Sequence, residues 1–263
     1  MYTSFFKMKA QPFAEHIPVG QVFHDDRIAQ GLARLLYMVA YGYIGLITGQ
    51  TGSGKSTLIK LLLNKLAPNQ YWPVYVHFTH VKASSLLKLI ITAMGEGPRL
   101  SKEKVFLQII DKARKSSIPV VIIIDEAHLL DANAIVDLRL LVSSALDDNP
   151  RLKLILSGQE ELIHKLKRSS FTDFAHRVNV CWQMKPLTKA QTVAYIDFQM
   201  KYAGASEKIF EAEAKEMIHD FSNGIARQIN NIATGCLINA SIQKSQKINL
   251  ELLNQTMNEF RLF

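Results

Sequence analysis

Five short apolar runs punctuate the first two thirds of the chain, and the residues between them recur at helical spacing. Tyr43–Thr48, Val74–Thr79, Val120–Ile124, Leu152–Leu156 and Val178–Trp182 read as strands. Unbroken apolar runs such as Val120-Val121-Ile122-Ile123-Ile124 suit strands buried on both faces of a parallel sheet. The intervening stretches predict helices over 25–40, 55–66, 84–94, 101–117 and 160–168, and a further one that Asp131 caps and that runs to about Leu146, short of Asn149-Pro150. In the first of these Asp25 serves as cap and Ile28, Leu32, Leu35, Leu36 and Val39 form an apolar stripe. From Pro186 onward the pattern is purely helical, over about 188–203, 211–222, 225–242 and 249–260, with Thr188 and Asn249 as caps. Residues 1–21 contain Pro12, Pro18 and several aromatics and read as an extended arm laid on the domain. There is no internal repeat and no low-complexity tract. The chain thus divides into an arm (1–21), an α/β domain (22–185) whose parallel sheet is sandwiched by helices, and a small all-helical lid (186–263).

The chemistry sits at the ends of the strands. Directly after Tyr43–Thr48 comes Gly49-Gln50-Thr51-Gly52-Ser53-Gly54-Lys55-Ser56, the phosphate-loop pattern G-x-x-x-x-G-K-[ST] between a strand and a helix. Its glycines let backbone N–H groups turn inward as an anion nest, and the following helix adds its N-terminal dipole. The predicted ligand is a nucleoside triphosphate with magnesium, held by Gly49, Gln50, Thr51, Gly52, Ser53, Gly54, Lys55, Ser56 and Thr57. Lys55 is expected to reach the β- and γ-phosphates and the Ser56 hydroxyl to ligate magnesium. The run 120–124 ends in Asp125-Glu126-Ala127-His128. Asp125 is placed to hold magnesium, and Glu126 to act as general base toward an attacking water. His128 reads as a local loop residue.

With 263 residues and 48% hydrophobic content, the chain can bury a proper core. No apolar stretch approaches the roughly 18–20 residues of a membrane span, and the N-terminus lacks the layout of a signal peptide. Cys181 and Cys236 are far apart and read as buried small residues, which points to a reducing cytoplasm. The net charge of +8 is uneven: residues 1–187 hold 23 Lys+Arg against 15 Asp+Glu, and residues 188–263 hold eight of each. A basic α/β part suits a polyanion such as duplex DNA gripped without sequence reading, with Lys82, Arg99, Lys102 and Lys104 as candidate contacts.

Small-molecule kinases need neither the helical C-terminal part nor the Asp-Glu pair, and helicases with a DEAH sequence need two α/β domains. The layout resembles the AAA+ ATPases. In that resemblance Ser157 or Gln159 takes the sensor-1 position near the γ-phosphate. Gly224-Ile225-Ala226-Arg227 matches the sensor-2 motif, whose arginine contacts nucleotide, and Phe174-Ala175-His176-Arg177-Val178 matches the box supplying an arginine finger to a neighbouring subunit, with Arg168 as rival.

A closer resemblance, over nearly the whole chain, is to the ExeA-like branch. It is carried by Phe5-Phe6, Pro12-Phe13, the phosphate loop, Asp125-Glu126-Ala127-His128 and Ser157-Gly158-Gln159-Glu160-Glu161-Leu162, then by Arg177, Pro186-Leu187-Thr188, Tyr195-Ile196, Ala203-Gly204 and Gly224–Asn230. Ala226 and Glu160 stand where that branch usually has prolines. Secretion-type members continue into a membrane span and a periplasmic wall-binding region, which this sequence does not show, so the resemblance is read toward stand-alone transposition ATPases of the MuB, TnsC and TniB kind. It implies an ATP- and Mg2+-dependent ATPase that forms rings or filaments on DNA, selects target sites and recruits a DDE-type transposase. The alternatives are a secretion-assembly ATPase and a low-turnover ATP-binding assembly switch.

Overall fold

A computed structural model gives the fold and describes residues 1–14, 18–77, 83–143, 151–205 and 207–260. Five strands, β1 (Ile44–Thr48), β2 (Trp72–His77), β3 (Val120–Asp125), β4 (Leu152–Gly158) and β5 (Val178–Gln183), form one sheet in the order β2-β3-β4-β1-β5. All four pairings are parallel. The apolar pattern explains the order. The inner strands β1, β3 and β4 are buried along their whole length, whereas the edges β2 and β5 mix buried and exposed positions. β2 starts at Trp72, ahead of the predicted Val74, and includes Pro73. An edge strand accepts a proline because one side of its backbone has no neighbour to bond.

The chain divides into two compact units: Asp26–Gln50 with Lys55–Met184, and Met1–Asp25 with Thr51–Gly54 and Lys185–Phe263. In the first, flanking helices span Asp26–Tyr41, Lys55–Lys65, Ala83–Ala93, Lys102–Lys115, Ala132–Ser143 and Glu161–Leu166. Asp131 caps its helix as predicted, with Oδ1 accepting from the Ala134 N–H at 2.7 Å. Ile44, Leu86, Ile90, Ile109, Ile122, Leu154 and Phe174 belong to one core, each contributing roughly 1.5–3 kcal/mol by burial. In the first helix Leu32 and Leu36 are only half-buried, while Met38 is buried. Lys153 is buried within β4 and donates from Nζ to the Gly42 carbonyl at 2.9 Å, at the C-terminal end of the helix Asp26–Tyr41, where a cation suits the helix dipole.

Cys236 is buried, but Cys181 is exposed, because β5 is an edge strand and position 181 falls on its outward face beside buried Val180. Residues 1–14 are not a purely extended arm: Tyr2–Phe5 form a one-turn helix, and Phe6 and Phe13 lie in the core of the helical unit. The Lys9 N–H donates to the Ala203 carbonyl at 2.8 Å, and burying two phenylalanines outweighs leaving this segment extended.

The helical unit contains Lys189–Tyr202, Ala212–Ser222, Ala226–Ile242 and Leu250–Phe260. Thr188 forms a reciprocal cap with Gln191, and Asn249 Oδ1 accepts from the Leu252 N–H at 3.0 Å, satisfying helix-start donors. Phe210, Ile229, Leu237 and Leu253 fill its core. Among the described residues no helix is long and apolar enough to cross a membrane.

Candidate functional site

β1 lies where the strand order reverses, between β4 and β5. In open parallel sheets the crevice at the carboxyl ends of the strands at such a point receives ligands. The loop Gly49–Ser56 emerges there and feeds the helix Lys55–Lys65. Gly49, Gly52 and Gly54 all have positive φ, at 151°, 80° and 106°, which curls the loop. Lys55 is 6% exposed and donates from Nζ to the carbonyls of Gly49 (2.9 Å) and Gln50 (3.0 Å). Among the described residues, Ser53 Oγ is buried without a hydrogen-bond partner. An enclosed ammonium and an orphaned hydroxyl in a glycine loop fit phosphate oxygens in donor chemistry. Gln50, Thr51 and Ser56 are exposed, and Thr57 is half-buried.

Asp125, at the tip of β3, is 1% exposed. Its Oδ2 accepts from Ser56 Oγ and from the Tyr75 hydroxyl, each at 3.2 Å. Its Oδ1 accepts from Ser157 Oγ at 2.8 Å and from the Glu126 N–H at 3.0 Å. The adjacency of β3 and β4 brings Ser157 to this carboxylate, which separates it from Gln159, the other sensor-1 candidate. A hydroxyl beside a buried carboxylate at the foot of a phosphate loop is the donor set that suits magnesium.

Glu126 leaves the strand in the left-handed conformation, φ 56° and ψ 33°, a backbone state uncommon for a non-glycine residue and concentrated at functional sites. Its side chain is 33% exposed, with Oε2 3.5 Å from His128 Nδ1. Gln159 meets the same imidazole, Nε2 to Nε2 at 3.2 Å.

Tyr75 escaped the sequence reading. It pairs with Ile123, and Asp125 lies two residues further along the same face of β3, a diagonal that only the register reveals. Burial, followed by the charge of Asp125, its hydrogen bond and the charge of Glu126, pushes the phenol up to about 12. The hydroxyl therefore stays a donor across the working range.

The arginines are placed differently from one another. Arg177 is exposed just before β5. Ile44 pairs with Val178 and Thr48 with Gln183, so Arg177 stands at the opposite end of the strands from the phosphate loop, about 20 Å away at about 3.3 Å per residue. That is further than an arginine side chain extends. Arg168 is also exposed. Arg227 opens the helix Ala226–Ile242, and its N–H donates to the Gly52 carbonyl at 3.3 Å. A Cβ at Gly52 would lie 2.7 Å from Arg227 Cβ and 3.2 Å from Ile225 Cγ2.

Of the DNA candidates, Arg99 and Lys104 are exposed. Lys102 pairs with Asp137 at 2.8 Å, which neutralises its charge. Lys82 lies outside the described residues.

Residues 39–166 match a family model described as an AAA domain. The general secretion pathway protein A of Aeromonas hydrophila is 30% identical over 257 residues, covering 94% of this chain and 46% of that protein, so the chain spans about half the length of the curated relative it matches. Among solved structures, Cdc6p from Pyrobaculum aerophilum superposes with a TM-score of 0.76 at 18% identity, covering 94% of this chain and 70% of that one. The ORC1 protein of Aeropyrum pernix, solved in complex with DNA, gives a TM-score of 0.71 at 17% identity, covering 92% and 67%. Residues 39–166 are thus similar to an AAA domain, the fold is the P-loop AAA+ fold with a helical C-terminal part, and the sequence is similar to the general secretion pathway protein A over 94% of the chain.

Proposed function

We propose that the chain is an ATPase that binds ATP with magnesium at Gly49–Ser56 and couples hydrolysis to the assembly of its own copies. The observation that carries this reading is the convergence of Ser56, Tyr75, Ser157 and the Glu126 N–H on one buried carboxylate, Asp125, at the foot of a phosphate loop.

Lys55 exchanges two loop carbonyls for β- and γ-phosphate oxygens, stronger acceptors because they are charged. Ser56 and Asp125 would hold a magnesium ion, which would neutralise phosphate charge when bound. The Glu126 carboxylate takes a proton from water as the water oxygen bonds the γ-phosphorus. The bond from that phosphorus to the bridging oxygen breaks, releasing phosphate and ADP. Ser157 keeps Asp125 oriented, and Arg227 reaches the nucleotide from beside Gly52. Arg177 lies at the far end of the strands from its own loop and completes the site of a second copy, with Arg168 the other exposed candidate.

Two finer readings differ in the partner. Homology with the general secretion pathway protein A supports an ATPase of secretion assembly. The basic α/β part, with exposed Arg99 and Lys104, supports a DNA-bound regulator of transposition acting with a DDE-type transposase. Glu126→Gln is expected to retain ATP binding and lose turnover, and unchanged phosphate release would remove Glu126 from the mechanism. Electron microscopy with ATP, with and without duplex DNA, separates the finer readings. DNA-dependent filaments or stacked rings favour transposition, and assembly indifferent to DNA favours secretion.

A further inference from the structure

We propose that His128 is a positioning residue for the hydrolytic base, an inference that rests on reading Glu126 as that base. The left-handed turn at Glu126 and the 3-10 turn Ala127–Leu129 fold His128 back against Glu126. The imidazole is held more tightly than the carboxylate it meets: its side chain is 13% exposed against 33% for Glu126. Its main chain is pinned by Lys165, whose Nζ donates to the carbonyls of His128 and Leu130 at 2.6 Å each. Gly158 permits this approach, since a Cβ there would lie 2.9 Å from the His128 nitrogen.

The ring has two partners. Nδ1 lies 3.5 Å from Glu126 Oε2 and 3.5 Å from the Gln159 backbone nitrogen, and Nε2 lies 3.2 Å from Gln159 Nε2. Nδ1 is within reach of both the Gln159 backbone N–H and Glu126 Oε2, and the tautomer with its proton on Nδ1 would donate to Glu126 and accept the Gln159 amide on Nε2. The other tautomer accepts the Gln159 backbone N–H on Nδ1 and releases Glu126. With the proton on Nδ1, two parallel links run from the tip of β4 to the tip of β3. Ser157 holds Asp125, and Gln159 acts through His128 on Glu126. The second link aligns the base without touching the substrate.

The test uses the full chain and compares His128→Ala, His128→Asn, Gln159→Ala and Glu126→Gln. Affinity is read with a fluorescent ATP analogue, and kcat and KM by phosphate release. Asparagine places an amide nitrogen near the Nδ1 position and keeps the donor toward Glu126. A misaligned base costs part of what general-base catalysis supplies, so His128→Ala and Gln159→Ala should lower kcat about tenfold with affinity within about twofold. His128→Asn should recover most of the rate. In single turnover, adding His128→Ala to Glu126→Gln should change the residual rate no further. Wild-type kcat in His128→Ala overturns the proposal. So does an equal loss from His128→Ala in the Glu126→Gln background, or joint loss of affinity and kcat that His128→Asn does not relieve. Wild-type turnover in Glu126→Gln overturns the base assignment itself, an outcome visible before any His128 variant is made.

Discussion

Replacing Tyr75 by phenylalanine removes one hydroxyl and keeps the ring. That hydroxyl donates to Asp125 Oδ2 at 3.2 Å, and three other donors remain on the carboxylate: Ser56 Oγ, Ser157 Oγ and the Glu126 N–H. A hydrogen bond to a charged acceptor contributes about 1.5–3 kcal/mol. Tyr75 is 42% exposed, so water replaces part of the loss, and the expected cost at pH 8 is about 1 kcal/mol. The pH dependence has a definite sign. Burial, then Asp125 and Glu126, raise the phenol from 10.0 to about 12, so the folded chain keeps a proton that the unfolded chain releases above pH 10. This stabilisation is fully present below pH 10 and is lost as pH rises through about 12. Undiscounted, a shift of this size corresponds to about 2.7 kcal/mol. Solvent screening at a residue this exposed reduces it to about 1 kcal/mol. Urea denaturation of wild type and Tyr75→Phe at pH 8, 10 and 11 reads both effects. The variant should be less stable at pH 8, and the gap should narrow between pH 10 and 11. Equal stability at pH 8, or a gap that does not change with pH, refutes the assignment of Tyr75 as a donor to Asp125.

Arg177→Ala should bind ATP normally and lose about 10³-fold or more in turnover. Mixing it with Lys55→Ala, which keeps the finger and lacks the loop lysine, should restore phosphate release; a mixture that stays inactive argues against a finger acting between copies. Gly52→Ala forces φ 80° on a residue with a side chain and sets its Cβ 2.7 Å from Arg227 Cβ. It should cost about 1–3 kcal/mol in thermal denaturation and weaken ATP binding, and a variant as stable as wild type refutes the close approach. Burial lowers the Lys153 ammonium from 10.5. The unfolded chain therefore binds more protons between that lowered value and 10.5, and stability should rise with pH through this window. Lys153→Met should lack that rise in denaturation titrations, and an unaltered slope rules out Lys153 as its source.

The phosphate loop, the Asp-Glu pair and all five strands were legible in the sequence because each depends on local spacing: a glycine pattern between strand and helix, or an apolar run a few residues long. Helix caps such as Asp131 and Thr188 were legible for the same reason, since a cap contacts residues only three positions away. What joins these pieces was not. That Ser157 and Tyr75 both reach Asp125 depends on β4 and β2 flanking β3 in one register, and strand order leaves no mark on hydrophobic periodicity. His128 read as a loop residue because its partners, Glu126 and Gln159, come from two strand ends that only the sheet makes neighbours. The first residues read as an arm because nothing local shows that Phe6 and Phe13 pack in the core formed by residues some two hundred positions later. By itself the sequence determined that a glycine loop follows a buried strand and which stretches form strands and helices. Only the tertiary structure decided which side chains share one carboxylate, that Cys181 lies outside, and that Arg177 stands too far along the strands to serve its own loop, because these follow from long-range pairing and burial.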